Sequence, residues 1–337
     1  MTLEWWQALI LGALQGLTEF LPVSSSGHLG LAPALLGWPD DPGLVFDALV
    51  HGGTAGALVV VFRRELQAMA QGLAGRRDHD ARLARRLAGL VVVGTVPLVV
   101  VGLTLRGAVE AAFVEAPAAA TGLLATAVIL LAGERWRSRR AAHAPRPGFD
   151  EADTNAPVGS DHGMGDWAVA NGPQDGPRHR DTHHEPAVSA AIAVGVDADD
   201  PRGSTLDRLT PLAALLIGVG QAVAVLPGIS RSGTAIMTGV ITGLTREAAT
   251  RFAFLLALPA LGGAVVLSAL EMATEGTGTV GWVGLAGAVA VAFVTALIAI
   301  RWLLRLVARA PLSGFAVYCA AAGVAGWLSI VLLAGGS

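Results

Sequence analysis

The sequence predicts an all-α polytopic membrane protein with an inverted-topology repeat, comprising six transmembrane helices plus re-entrant broken helices in each half. Three observations lead to this prediction. Only 15% of the 337 residues are charged and 53% are hydrophobic, whereas soluble proteins carry about 25% charged residues. Long apolar segments recur along the chain. Two polar motifs, one in each half, resemble each other.

Six apolar segments approach or exceed the roughly 20 residues that a membrane-spanning helix needs. They cover residues 45–62, 88–105, 118–133, 252–270, 282–300 and 312–333. Two further apolar stretches, 5–38 and 210–244, are interrupted by Gly, Pro and Ser, which indicates re-entrant or broken helices. Irregular backbone is tolerated at membrane depth only where protein or a wet cavity covers it.

The placement of arginine predicts the orientation in the membrane. The loop "RRELQAMAQGLAGRRDHDARLARR" is strongly basic and should be cytoplasmic, as should the later "ERWRSRR". Acidic loops with few bases should lie outside, and they contain Glu110, Glu115, Glu271 and Glu275. The alternation is consistent through all six spans and places both termini outside.

A polar segment divides the chain into a first repeat (1–140), a linker (141–205) and a second, inverted repeat (206–337). The linker is rich in Pro, Gly, Asp and His, so it cannot bury enough apolar surface to offset the entropy of ordering. We therefore predict a disordered cytoplasmic linker. Histidine-rich tracts can bind metal, but the histidines at 179, 183 and 184 are better interpreted as solvated polar residues.

The two halves share polar residues at a constant offset of 206 positions. The pairs are Gln15 with Gln221, Ser24 with Ser230, Ser26 with Ser232, and Gly27 with Gly233. The same offset places Ser25 opposite Arg231. Three spans follow each broken hairpin, and an odd number of spans inverts the second half. Substrate sites in such folds lie near the midplane, where helix N-termini point at an anion.

The motifs "QGLTEFLPVSSSGH" and "SRSGT" have the chemistry of a phosphate site. Free backbone N–H groups at a helix start bind phosphate, glycine allows close approach, and arginine presents a fork of donors. A buried arginine in a membrane is a functional candidate by default. The predicted substrate-binding residues are Gln15, Ser24, Ser26, Gly27, Ser230, Ser232, Gly233 and Thr234.

Four residues are candidates for catalysis. Ser25 is the candidate nucleophile, and Glu19 could act as its base or hold a divalent metal. His28 could also transfer the proton, while Arg231 would neutralise phosphate charge. Structural alternatives remain open, because serines and histidines in membrane helices often serve packing and Arg231 could be a counter-ion to Glu19. His51 and Asp47 are interpreted as structural.

The stretches "EFLPVSSSGH" and "LPGISRSG" resemble the undecaprenyl-diphosphatase family, also called bacitracin resistance proteins, over nearly the whole chain except the linker. The resemblance implies a bacterial inner-membrane phosphatase that converts undecaprenyl diphosphate to the monophosphate carrier lipid of peptidoglycan synthesis, and that confers bacitracin resistance. It also implies a site that faces the periplasm or cell exterior and a divalent cation, Mg²⁺ or Ca²⁺.

The resemblance assigns roles to particular residues. The family's acidic motif falls on Gln15 and Glu19, its proposed nucleophile on Ser25, its histidine on His28 and its arginine on Arg231. The glutamine at position 15 removes one carboxylate, so Glu19 must carry the metal-binding role.

The competing interpretation is a transporter, either a lipid-phosphate flippase or an ion-coupled carrier, because inverted repeats with broken helices are typical of transporters. Ser25, Glu19 and His28 together favour an enzyme, since transport needs no nucleophile. A structural scaffold explains none of the buried polar residues.

The expected partners are a polyprenyl diphosphate substrate and membrane lipids. The net charge of −3 gives no indication of nucleic-acid binding, and a homodimer is compatible with the sequence.

Overall fold

The computed structural model of the chain describes residues 3–38, 44–105, 107, 116–143, 205–275 and 281–335. This part of the chain is all helical. Its helices are α1 (Trp5–Thr18), α2 (Ser25–Leu36), α3 (Leu44–Val61), α4 (Arg63–Leu73), α5 (His79–Thr104), α6 (Ala116–His143), a short 3-10 helix (Leu206–Arg208), α7 (Pro211–Val223), α8 (Arg231–Ile241), α9 (Arg246–Glu275), α10 (Trp282–Val307) and α11 (Ser313–Gly335).

Five helices among the described residues are long and apolar enough to cross a membrane. They are His79–Thr104, Pro117–Ala142, Arg246–Val266, Trp282–Val307 and Ser313–Leu332. Phe46–Val61 and Arg63–Leu73 are bent by 77° and add a sixth span if they are counted as one. The prediction of an all-helical, multi-pass membrane protein is therefore confirmed.

The two interrupted stretches each form a pair of helices separated by a short turn. Residues 19–24 separate α1 from α2, and residues 224–230 separate α7 from α8. Each second helix begins after a serine, Ser24 or Ser230, whose side chain caps the first turn. The interruptions predicted from Gly, Pro and Ser are thus real breaks, and both breaks bring polar residues to a helix N-terminus.

Most of the predicted linker (141–205) lies outside the described residues, including its histidines at 179, 183 and 184. The acidic loop with Glu110 and Glu115 also lies outside them. The disorder predicted for the linker and the outside position predicted for the acidic loop consequently stay predictions.

Glycines allow the helices of the two halves to pack backbone to backbone. A Cβ atom at Gly12 of α1 would collide with the carbonyl of Ala288 in α10, and one at Gly218 of α7 would collide with the carbonyl of Gly94 in α5. Small residues permit this close approach where lipid offers no hydrophobic driving force between helices. The first helix of each half is therefore packed against a spanning helix of the other half.

We expect Gly218→Ala to destabilise the protein by about 1–3 kcal/mol, because the added methyl group has no space between α7 and α5. Thermal unfolding in detergent measures this change. Gly262→Ala is the matched control, since a Cβ atom there meets nothing within 4 Å and helix propensity favours alanine. Equal stability of the two variants would contradict the proposed backbone contact.

Candidate active site

The turn before α2 holds its capping serine in a strained conformation. The Oγ atom of Ser24 accepts a hydrogen bond from the Gly27 N–H at 3.2 Å, which satisfies a free donor of the helix start. Ser24 has a φ of +68° and is the one non-glycine residue with positive φ among the described residues. Such backbone strain costs of order 1–3 kcal/mol and is often found at functional sites.

The turn before α8 is capped in the same way. The Oγ atom of Ser230 accepts from the Gly233 N–H at 3.1 Å and lies 3.1 Å from the Oγ of Ser232. In the first turn, the corresponding distance between the Ser24 and Ser26 Oγ atoms is 3.2 Å. Two serine-capped helix N-termini with matching hydrogen bonds therefore stand at the two breaks.

Hydrogen bonds also join the two turns to each other. The Gly228 N–H donates to the Oγ of Ser26 at 3.2 Å, and the Oγ of Ser232 donates to the carbonyl of Leu21 at 3.0 Å. Ser26 in "SSS" and Ser232 in "SRS" therefore each form a hydrogen bond to the opposite turn. Such bonds are expected if the two turns face each other.

The carboxylate of Glu19 lies at the centre of the site and is buried. Its Oε2 atom accepts from the Ser25 hydroxyl at 2.6 Å and from the Gln15 amide at 3.0 Å. Its Oε1 atom lies 3.8 Å from an Nη atom of Arg231. The Nε2 atom of His51 lies 3.4 Å from Oε2. The structure thus brings together the predicted nucleophile, carboxylate and arginine.

This arrangement suits nucleophilic attack on phosphorus. Ser25 is the first residue of α2 and Arg231 is the first residue of α8, so both stand at the positive ends of helix dipoles. The short bond from the Ser25 hydroxyl to Glu19 points the serine proton at a base, which is how a weak nucleophile is activated. Arg231 and the free N–H groups can hold phosphate oxygens.

His28 lies one turn after Ser25 in α2, and its ring nitrogens contact groups other than Ser25. Its Nδ1 atom lies 2.7 Å from the carbonyl of Ser24, and its Nε2 atom lies 2.7 Å from the hydroxyl of Tyr318. Both ring nitrogens are therefore engaged elsewhere. The sequence left both Glu19 and His28 open as the base for Ser25, and the geometry favours Glu19.

The remaining predicted binding residues lie around the two turns. A Cβ atom at Gly27 would be 3.2 Å from the Cα of Gly228, so glycine lets the two turns approach. Gly233 supplies the capped N–H described above. The hydroxyl of Thr234 donates to the carbonyl of Ser230 at 2.9 Å, which engages it within its own helix.

Three residues near the site were not among those predicted from the sequence as site residues: His51, Thr126 and Tyr318. His51 was interpreted as structural. The one feature of the sequence that could have marked it as a site residue is that it is a histidine within an apolar helix. Thr126 is buried in α6, where its hydroxyl oxygen accepts from the Ser230 N–H at 2.9 Å. The hydroxyl proton lies between two carbonyl acceptors, those of Gly122 at 3.0 Å and Gly228 at 3.1 Å. Nothing local in the sequence marks Thr126 or Tyr318.

Thr126→Val should leave the Ser230 N–H without an acceptor and destabilise the protein by about 1–3 kcal/mol. We also expect slower turnover, since the cap of α8 positions Arg231. Unfolding and activity assays on the same preparation measure both effects. Thr95→Val is the control, because the Thr95 hydroxyl donates within its own helix, to the carbonyl of Val91. A Thr126 variant as active and stable as this control would contradict the bridging role.

Comparisons with known proteins identify the family of this chain. The family described as "Bacitracin resistance protein BacA" matches residues 8–154 and 187–325. Undecaprenyl-diphosphatase 3 of Frankia alni is 34% identical, with 99% of this chain and 97% of that protein aligned. Undecaprenyl-diphosphatase of Mycobacterium avium is 35% identical, with 97% and 98% aligned. The matches span nearly the whole chain, and we conclude that it belongs to the bacitracin resistance protein BacA family.

Proposed function

We propose that this protein is an integral membrane phosphatase that hydrolyses undecaprenyl diphosphate to undecaprenyl phosphate and inorganic phosphate. The activity would return the carrier lipid to cell-wall synthesis and confer bacitracin resistance. Family membership and relatives named undecaprenyl-diphosphatase support this function. The observation that carries it is the Ser25 hydroxyl donating to buried Glu19, with Arg231 beside the same carboxylate.

The chemistry follows from these contacts. Ser25 Oγ attacks the terminal phosphorus while its proton passes to Glu19, and the bond from that phosphorus to the bridging oxygen breaks. Undecaprenyl phosphate leaves, and Arg231 with the helix N-termini holds the transferred phosphoryl group. Water then hydrolyses the phosphoserine and releases inorganic phosphate. Direct attack by water, with Ser25 only positioning the substrate, is the alternative order of events.

We propose that a divalent cation binds to oxygen atoms of this site. Glu19 is a single carboxylate, and the described residues contain no group of three or more His, Cys, Asp or Glu side chains that could hold a metal. The Oε1 atom of Gln15 is buried without a hydrogen-bond partner among the described residues. Mg²⁺ is often held by one or two carboxylates plus substrate phosphates. Glu19 and Gln15 would hold the cation, which would neutralise phosphate charge.

We further propose that the fold is an inverted-topology repeat with six spans, in which residues 1–140 and 206–337 are the halves and 141–205 the cytoplasmic linker. The matching serine caps at an offset of 206 support the repeat. So does the reciprocal packing, with α1 of the first half on α10 of the second and α7 of the second on α5 of the first.

The arginine distribution supports an orientation with both termini outside. In a bacterial inner membrane, the first broken hairpin would then enter from the periplasmic side. The site would face the periplasm, or the cell exterior where there is no outer membrane. Labelling of single cysteines introduced into the loops with a membrane-impermeant reagent would test this orientation.

Phosphate release from undecaprenyl diphosphate by the purified protein tests the activity. We expect release in detergent with Mg²⁺ or Ca²⁺ and its loss with a chelator. No release from well-folded protein would contradict the phosphatase. The broken-helix architecture would then favour lipid-phosphate transport, which flipping of a labelled lipid phosphate in vesicles would detect.

A further inference from the structure

Tyr318 of α11 contacts His28, and this contact places the Tyr318 hydroxyl beside the turn that carries Ser24 and Ser25. The two rings are parallel, with an interplanar angle of 1° and centroids 5.6 Å apart, and the hydroxyl lies 2.7 Å from the His28 Nε2. The carbonyl of Ser24 can only accept, so the Nδ1 atom of His28 carries a proton. In the neutral ring Nε2 is then an acceptor, and the Tyr318 hydroxyl donates to it.

The pair extends the site from the buried carboxylate towards the surface of the protein. His28 follows Ser25 by three residues on α2, so the two side chains are neighbours on one helix face. Tyr318 is 49% exposed and the adjacent Val317 is 67% exposed, on a helix that spans the membrane. Glu19 is buried, Ser25 and His28 are partly buried and Tyr318 is exposed, so these four residues form a line from the protein interior to an exposed surface.

A diphosphate bound to this line has a defined direction. Its terminal phosphate must meet Ser25 and Arg231 for transfer, while its prenyl chain must stay in lipid. The phosphate that carries the chain is then placed on the side of His28 and Tyr318. A phenolic O–H is a good donor to a phosphate oxygen, and hydrogen bonds to charged groups are the stronger ones.

We propose that Tyr318 and His28 bind the lipid-side phosphate, the one that remains on the product. The inference rests on the proposed phosphatase function and adds to it a second phosphate subsite. When the lipid binds, Tyr318 turns its one hydroxyl proton from His28 to an oxygen of this phosphate. After cleavage the Nε2 of His28 accepts instead from a protonated oxygen of the same phosphate, since a phosphate monoester keeps a proton with a pKa near 6.

Inhibition by the two products separates the two subsites. In Tyr318→Phe, the inhibition constant of undecaprenyl phosphate should rise about tenfold, the effect of one hydrogen bond to a charged group. That of inorganic phosphate should stay unchanged, because it binds at Ser25 and Arg231. KM should rise while kcat changes little. His28→Gln should weaken the binding of undecaprenyl phosphate in the same way.

Trp327→Phe is the matched control, because Trp327 of the same helix makes an exposed hydrogen bond to Thr121 away from the site. It should change neither constant. If Tyr318→Phe weakened the binding of both products equally, Tyr318 would have a general structural role and the proposal would be overturned. Unchanged inhibition constants for both products would also overturn it.

A failure of the phosphatase function itself can be recognised separately. If the wild-type protein releases no phosphate, binding of undecaprenyl phosphate can be followed directly by tryptophan fluorescence. Weaker binding of undecaprenyl phosphate by Tyr318→Phe than by Trp327→Phe would then support the phosphate subsite even though the protein has no phosphatase activity. Equal binding would overturn the subsite as well.

Discussion

Ser25→Ala should lower kcat by at least about a thousandfold, because the reaction then lacks the oxygen that forms the bond to phosphorus. The Ser25 hydroxyl donates to Glu19 at 2.6 Å, whereas the hydroxyl oxygens of Ser24 and Ser26 accept from the Gly27 and Gly228 N–H groups. Phosphate release per folded protein, together with capture of a phosphorylated serine after rapid acid quenching, measures the effect.

The control for this variant is Ser329→Ala, since the Ser329 hydroxyl donates within its own helix, to the carbonyl of Ala325. It should behave as wild type. If water attacks directly, Ser25→Ala removes only a positioning hydrogen bond. A loss of about tenfold or less, with no phosphoserine in the wild-type enzyme, would therefore assign the attack to water.

Arg231→Ala should lower kcat/KM by about a hundredfold to a thousandfold, the usual effect of removing one group that stabilises the charge of a transition state. Arg231→Lys should recover part of this loss, because lysine keeps the charge but not the fork of donors. Steady-state kinetics on the three proteins measure the series.

Arg251→Ala is the matched control, because Arg251 forms an ion pair with Glu65 at 3.1 Å on other helices. It should lose stability at most. If Arg231→Ala and Arg251→Ala had the same small effect on turnover, Arg231 would serve only as a counter-ion to Glu19 and not as a phosphate ligand.

The sequence predicted the helical membrane fold because the signals are local. Apolar segments mark spans wherever they occur, and Gly, Pro and Ser mark the breaks at 19–24 and 224–230. The bend between α3 and α4 lies at the predicted end of the first span, but α4 itself was not predicted, because its residues were interpreted as part of a basic cytoplasmic loop. That bend follows Val61, where the apolar run gives way to Arg63 and Arg64.

The site was predictable in part, for the same reason. Gln15, Glu19 and Ser25 lie within one motif, and the repeat led to Arg231. The contacts of Tyr318 and Thr126 depend on how α11 and α6 pack against the turns, and a one-residue rotation of either helix would remove them. Sequence spacing within a motif carries no information about such packing.

The contacts between the two serine motifs also have a consequence for biosynthesis. A ribosome adds about 5–20 residues per second, so Glu19 is made roughly 10 to 40 s before Arg231. During that interval the first half has entered the membrane while Glu19 still lacks the guanidinium of Arg231 and the Oγ of Ser26 still lacks the N–H of Gly228. We expect this half to stay near the interface or beside the insertion machinery until α8 arrives. The enzyme would thus gain its active site only late in membrane insertion.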